Sequence, residues 1–256
     1  MEISQKSRVV IDIGNTHIHV GRHENGTWSK LDEIPTQPLL QGRLDLLESI
    51  WFPDSKPDWA AFCSVVPKAS EKVRAWLQSQ ELPRGFCELN HRTVTGIGID
   101  YPKPESIGPD RLANAMAASH HYGTPSVVVD FGTAVTFDVL NLHGDYVGGI
   151  IAPGVSVMTD YLHEKTALLP RIEIKDPGSV IGKNTEQAMQ IGAVHGYRGL
   201  IRQLIEGLQQ ELGTTQIPVI ATGSYAELIA GGLDCITEVR PHLTLEGLLL
   251  LDPAKG

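Results

Sequence analysis

The chain has 256 residues, 41% of them hydrophobic and 20% charged, so it can bury a core and is too apolar for a disordered segment. Its 30 Asp and Glu against 21 Lys and Arg leave a net charge of −9, which argues against a general nucleic-acid binder and requires any phosphate site to be built locally. No run reaches the roughly 18 uncharged apolar residues of a membrane helix, and Met1–Ser7 lacks the apolar core of a signal peptide, so a cytoplasmic protein is expected. The three cysteines, Cys63, Cys87 and Cys235, form no Cys-x-x-Cys pair and predict neither a disulfide framework nor a zinc knuckle.

Arg8 to Asp12 is a short apolar run and predicts a buried first strand. A second strand over His17 to His23 meets Asn25-Gly26, a strong two-residue hairpin signal, and Thr27 to Leu31 returns. Gln41 to Trp51 predicts a helix, Trp59 to Val66 a strand, and Lys68 to Gln80 an amphipathic helix. Pro102, Pro104 and Gly108 mark a loop, and Pro109 suits the first turn of a helix running to about His121. The pattern then restarts. Ser126 to Asp130 is a second apolar strand, Ala134 to Asn141 and Tyr146 to Ile151 form its hairpin, and helices are expected near Val155 to Leu169 and over Thr185 to Glu211. Ile217 to Ala221 predicts a late strand, a helix follows Thr222-Gly223-Ser224, and Leu243 to Leu251 closes the chain as an apolar helix. Strands interleaved with helices place it in the α/β class.

Asp12 and Asp130 lie 118 positions apart (130 − 12). Each is followed at the second position by glycine, Gly14 and Gly132, and then by threonine-containing sequence and a hairpin, which reads as an internal duplication. The division falls near residue 120, giving an N-terminal domain over 1–120 and a C-terminal one over 121–256. In Asp12-Ile13-Gly14-Asn15-Thr16 the glycine admits a ligand close to the backbone, and the turn presents N–H groups that can cradle phosphate. Asp12 could hold Mg²⁺ beside those phosphates. Asp130-Phe131-Gly132-Thr133 repeats the arrangement, and two facing copies would clamp a triphosphate. In Gly108-Pro109-Asp110-Arg111 the helix dipole favours the carboxylate of Asp110 in the first turn, and Arg111 could pair with a substrate carboxylate in a bidentate way.

Other motifs fail. Gly178 to Asn184 lacks the spacing and the hydroxyl of a Walker A loop, and Gly96-Ile97-Gly98 lacks the third glycine of a dinucleotide fingerprint. His17, His19 and His23 could be metal ligands, but a strand face explains their spacing better, since no Cys or acid completes a set.

Five segments in register resemble the type III pantothenate kinases. They are Asp12-x-Gly-Asn-Thr16, the stretch carrying Tyr101, Pro104, Gly108, Asp110 and Arg111, Asp130-x-Gly-Thr-Ala-x-Thr136, the segment with Gly182, Asn184, Thr185, Ala188, Met189 and Gln190, and Leu243 to Leu248. The resemblance implies two related actin-like (ribonuclease H-like) domains of the actin-like ATPase and sugar-kinase superfamily, and ATP-dependent phosphorylation of pantothenate, the first step of coenzyme A biosynthesis. It implies that Asp12, Gly14, Asn15, Thr16, Gly132 and Thr133 hold ATP, and that Asp110 is the catalytic base. It implies that Tyr101, Gly108, Pro109, Arg111 and Thr185 bind pantothenate, and that Asp130 binds the monovalent cation, K⁺ or NH₄⁺, required besides Mg²⁺. It further implies a homodimer. Two alternatives remain at this level: a nucleotide-binding regulator related to these kinases, or another small-molecule kinase of the superfamily. Thr222-Gly223-Ser224 departs from the family's Thr-Gly-Gly and leaves the adenosine contacts open.

Overall fold

A computed structural model describes residues 7–43, 48 and 56–252. The chain divides into two compact units, one of residues up to His120 together with those from Leu243 on, the other His121–His242. The helix expected over Gln41 to Trp51 lies largely outside the described residues, as does Met1 to Lys6.

In the first unit, strands β1 (Arg8–Ile13), β2 (His17–Glu24) and β3 (Thr27–Pro35) form an antiparallel meander. Asn25 and Gly26 turn the β2–β3 hairpin with φ of 52° and 86°, the left-handed pair that a tight two-residue connection requires. β3 runs on to Pro35 through Asp32 and Glu33, because on this outer strand alternate residues face water and charge is tolerated. After the short helix α1 (Thr36–Leu40), β4 (Trp59–Ser64) and β5 (Phe86–Glu88) join in parallel, giving the order β3-β2-β1-β4-β5. Between them, helix α2 (Pro67–Ser79) packs Ala69, Val73, Trp76 and Leu77 onto Val9, Ile11, Ile18 and Phe62. The two-residue strand β6 (Gly98–Ile99) and a 3₁₀ turn at Pro104–Ser106 lead to helix α3 (Pro109–Tyr122).

The second unit repeats the plan. Strands β7 (Ser126–Phe131), β8 (Ala134–Leu140) and β9 (Asp145–Pro153) form the meander. Helices α4 (Val155–Lys165) and α5 (Thr185–Leu212) follow. Strand β10 (Val219–Thr222) pairs with β7 in parallel, and helix α6 (Ala226–Ala230) leads to β11 (Glu238–Val239), so this unit's own strands run β11-β10-β7-β8-β9. The order matches the first sheet strand for strand. The offset of 118 that separates Asp12 from Asp130 also separates Gly26 from Gly144 and Pro35 from Pro153. Helix α4 stops at Lys165, short of Leu169, where Thr166 turns extended and its hydroxyl bonds the Leu162 carbonyl. α5 is capped at its start by the Asn184 side chain, which accepts the Gln187 N–H at 2.8 Å, and stopped by Gly213 at φ 68°.

Helix α7 (Leu243–Leu249) closes the chain within the first unit, against β1, β2 and β4. A Cβ on Gly247 would run into the Ala113 carbonyl, so only glycine lets α7 approach α3 this closely. Thr244 Oγ1 donates to the buried Asn114 Oδ1 at 2.8 Å. The Leu-Thr-Leu-Glu-Gly-Leu segment thus holds α3, the helix that carries Asp110 and Arg111. Among the described residues no helix is long and apolar enough to cross a membrane.

Candidate active site

Register places the acidic residues. Asp12 pairs with His19 on β2 and with Cys63 on β4, and His19 pairs in turn with Glu33 on β3. Four polar side chains therefore cross one sheet in a row, Glu33, His19, Asp12 and Cys63. Cross-strand partners share a face, and this is the face on which Gly21 meets Leu245 of α7, opposite the apolar side packed by α2. Cys63 is fully buried and its Sγ donates to Asp12 Oδ1 at 3.2 Å. Burial pushes the Cys63 thiol well up, and the charges of Asp12 and Asp110 push it the same way. Both carboxylates thus act on one thiol, which brings Asp12 and Asp110 to the same patch of the first unit.

The connection after β1 is tight. Gly14 N–H donates to the His17 carbonyl at 2.9 Å, and a Cβ on Gly14 would sit 2.9 Å from that oxygen. Asn15 and Thr16 are left exposed at the tip. Thr36, completely buried, braces the loop from behind: its hydroxyl donates to the Gly14 carbonyl at 2.7 Å and its N–H to the Thr16 carbonyl at 2.9 Å. Sequence reasoning missed Thr36; its one signal is the place after Pro35 that Gly154 holds after Pro153.

Asp110 opens α3, half-buried, with Oδ1 accepting the Arg111 N–H at 2.8 Å. A side chain at Gly108 would strike that carboxylate oxygen, so Gly108 is needed for Asp110 to curl back. Burial raises the Asp110 pKa, opposed by the Arg111 N–H and the Arg111 charge. Pro109 and Arg111 flank it, and Tyr101 stands exposed ahead of the 3₁₀ turn.

In the second unit Asp130 lies opposite Thr136 and Thr222, with Ile151 beyond Thr136. The loop is one residue shorter: Gly132 N–H donates to the Ala134 carbonyl at 3.1 Å, with Thr133 exposed at its tip. Gly154 holds it down, its N–H donating to the Thr133 carbonyl at 3.1 Å, and a Cβ there would run into that carbonyl. Tyr197 Oη in turn bonds the carbonyls of Pro153 and Gly154 at 2.7 and 3.1 Å. Gly223, at φ 90°, passes so close that a Cβ would stand 2.6 Å from Asp130 Oδ1, whereas Ser224 is exposed. The glycine this segment cannot lose is therefore present. Thr185 begins α5, a separate element from the Asp130 loop.

His17 lies 3.5 Å from Glu33 and His23 meets Trp28 edge-on at 5.2 Å. Among the described residues no three His, Cys, Asp or Glu converge into a metal cage. Mg²⁺ at a nucleotide needs no such cage, since one or two carboxylates and the phosphates complete its shell, and Asp12 suits that. Asp130 with neighbouring threonines and close backbone offers the hard oxygen donors a monovalent cation takes.

The family model described as type III pantothenate kinase matches residues 8–207. A type III pantothenate kinase of Akkermansia muciniphila is 48% identical over 216 residues, covering 84% of this chain and 85% of that relative. One from Methylacidiphilum infernorum is 41% identical over 244 residues, covering 95% and 87%. Among solved structures, a conserved putative Baf family transcriptional activator from Campylobacter jejuni superposes with a TM-score of 0.56 at 18% identity, covering 94% of this chain and 95% of that one. A putative 2-dehydro-3-deoxygalactonokinase from Sinorhizobium meliloti gives 0.56 at 14% identity over 94% and 97%. At such identities the structural likeness shows the fold, which is that of the actin-like and sugar kinases, and the sequence likeness shows the family.

Proposed function

The chain belongs to the type III pantothenate kinase family, and from that premise we propose how its residues divide the ATP-dependent phosphorylation of pantothenate that opens coenzyme A biosynthesis. The observation that carries the division is the Asp12–Cys63 hydrogen bond, at a thiol that the charge of Asp110 also reaches, beside a loop braced by Thr36.

The β1 loop, Gly14-Asn15-Thr16, offers backbone and side-chain donors to the phosphates, and Gly132-Thr133 does the same in the second unit. Asp12 would hold Mg²⁺, and Asp130 the K⁺ or NH₄⁺. When bound, these cations neutralise triphosphate charge. Asp110 faces the pantothenate hydroxyl and takes its proton. Partial burial makes that carboxylate a better base than an exposed one, and the Arg111 N–H keeps it oriented. Little proton transfer is needed before a loose transition state, so positioning matters more than basicity. Arg111 pairs with the pantothenate carboxylate, with Tyr101, Gly108 and Pro109 lining that pocket in the first unit, and Thr185 is a further pantothenate contact.

We place the protein in the cytoplasm as a homodimer. Exposed apolar residues in the second unit, Ile151, Tyr161, Leu168, Val180 and Ile181, support the dimer. Sedimentation should give twice the chain mass.

The test of the whole reading mixes purified protein with ATP, Mg²⁺, K⁺ and pantothenate and follows ADP release. ADP release that depends on pantothenate and is lost in Asp110→Asn supports it. Absence of pantothenate-dependent turnover by folded wild type overturns it.

A further inference from the structure

We propose that Cys63 is a positioning residue for Asp12: its thiol fixes the orientation of the carboxylate that meets the metal and phosphates of the nucleotide. The inference rests on the role given to Asp12 above. An aspartate carboxylate turns about a broad χ2 well, so its plane is poorly set by the backbone alone. Here a neighbour on the adjacent parallel strand sets it. Asp12 and Cys63 are register partners of β1 and β4, and Sγ donates to Oδ1 at 3.2 Å. Cys63 is 0% exposed, so no bulk water can replace the donor if it is removed. Both ends of the bond sit on strands, which move less than the loop that follows Asp12.

The second unit supplies an independent observation. There the register partner of Asp130 on the equivalent strand β10 is Thr222, 2% exposed. Both halves thus set a small donor-bearing side chain opposite the Asp. The residues that precede them on both strands are apolar and buried, Ala61 and Phe62 in one and Ile220 and Ala221 in the other. Cysteine is common at buried positions, but threonine is mostly exposed, so packing alone does not account for the buried Thr222 opposite Asp130.

Cys63→Val and Cys63→Thr test this. The two replacements have nearly the same shape and both suit a strand, but only threonine keeps a donor. We expect Cys63→Val to weaken calorimetric binding of a non-hydrolysable ATP analogue with Mg²⁺ by about tenfold, the lower end for a hydrogen bond to a charged group. Cys63→Thr should bind within about twofold of wild type or more tightly, since a hydroxyl is the better donor. KM for ATP should follow the binding constants, with kcat changing less. Equal affinity of folded Val and Thr variants would overturn the proposal and leave Cys63 a packing residue. Should Cys63→Val not fold, Cys63→Ala and Cys63→Ser form the same comparison. Asp12→Asn separates the two layers of the argument. If it binds Mg²⁺ and the analogue as tightly as wild type, the role of Asp12 fails; if it weakens while Val equals Thr, only the inference about Cys63 fails.

Discussion

The two units carry the same strands in the same order, but the row crossing each sheet at the strand-end aspartate differs in chemistry. The first reads Glu33, His19, Asp12, Cys63, and the second reads Ile151, Thr136, Asp130, Thr222. Around the aspartate, ionisable side chains stand in the first, and two threonines and an isoleucine in the second. The loop braces differ as well. A side-chain hydroxyl from Thr36 supports the first loop, while the second is pressed against the bare backbone of Gly154. Duplication kept the backbone plan, which sets where a phosphate can approach, and left the side chains to take separate roles. The first unit adds an acid beside its row, Asp110, on the helix that α7 packs against.

The largest effect should come from removing that acid. Asp110→Asn should lower kcat by about 10²-fold or more, the scale of a general base. It should also raise the melting temperature at neutral pH. Burial raises the folded-state pKa of Asp110, so its ionisation costs stability as pH rises through that value, and the cost is absent below the unfolded value. The gain in melting temperature should therefore shrink on acidification toward about pH 4. Near-normal turnover would remove Asp110 from the chemistry and erase the asymmetry between the units.

Replacing K⁺ by Na⁺ at equal ionic strength should lower wild-type activity by about tenfold or more, chiefly through KM for ATP. Asp130→Ala should be poorly active, with its residual rate indifferent to the choice of cation. Equal rates of wild type in Na⁺ and K⁺ would make Asp130 a second Mg²⁺-side carboxylate, and the two rows would then share one task. Arg111→Ala should raise KM for pantothenate about tenfold while KM for ATP changes less. The reverse pattern would move Arg111 to the nucleotide.

The smallest effects compare the two braces. Gly154→Ala forces a methyl into the Thr133 carbonyl and should cost about 1–3 kcal/mol in denaturant unfolding. Thr36→Val removes one hydroxyl bond to Gly14 and should cost about 1 kcal/mol with a mild rise in KM for ATP. A larger loss for Thr36→Val would show that the first loop depends more on its brace than the second.

Much of this was legible in residue order. The apolar runs ending at Asp12 and Asp130 announce β1 and β7, Asn25-Gly26 announces a hairpin, and Pro109 announces the start of α3. These are local signals, set by sterics and side-chain period within a few residues. Strand β5 and strand β11 are not legible, because three- and two-residue strands carry no period and exist only where β4 and β10 offer an edge.

The sequence by itself determined the repeat, the family motifs and the positions of Asp12, Asp110 and Asp130 within their elements. Each of these is a pattern along the chain, and turn chemistry or apolar period is enough to read it. Tertiary structure alone decided that Cys63, 51 positions from Asp12, would donate to it. It also decided that Thr36 would brace Gly14, and that Gly247 would let α7 hold the helix bearing Asp110. Those contacts depend on which strands pair and in what register, and pairing is settled by burial of the whole apolar face, a free energy that no short segment carries.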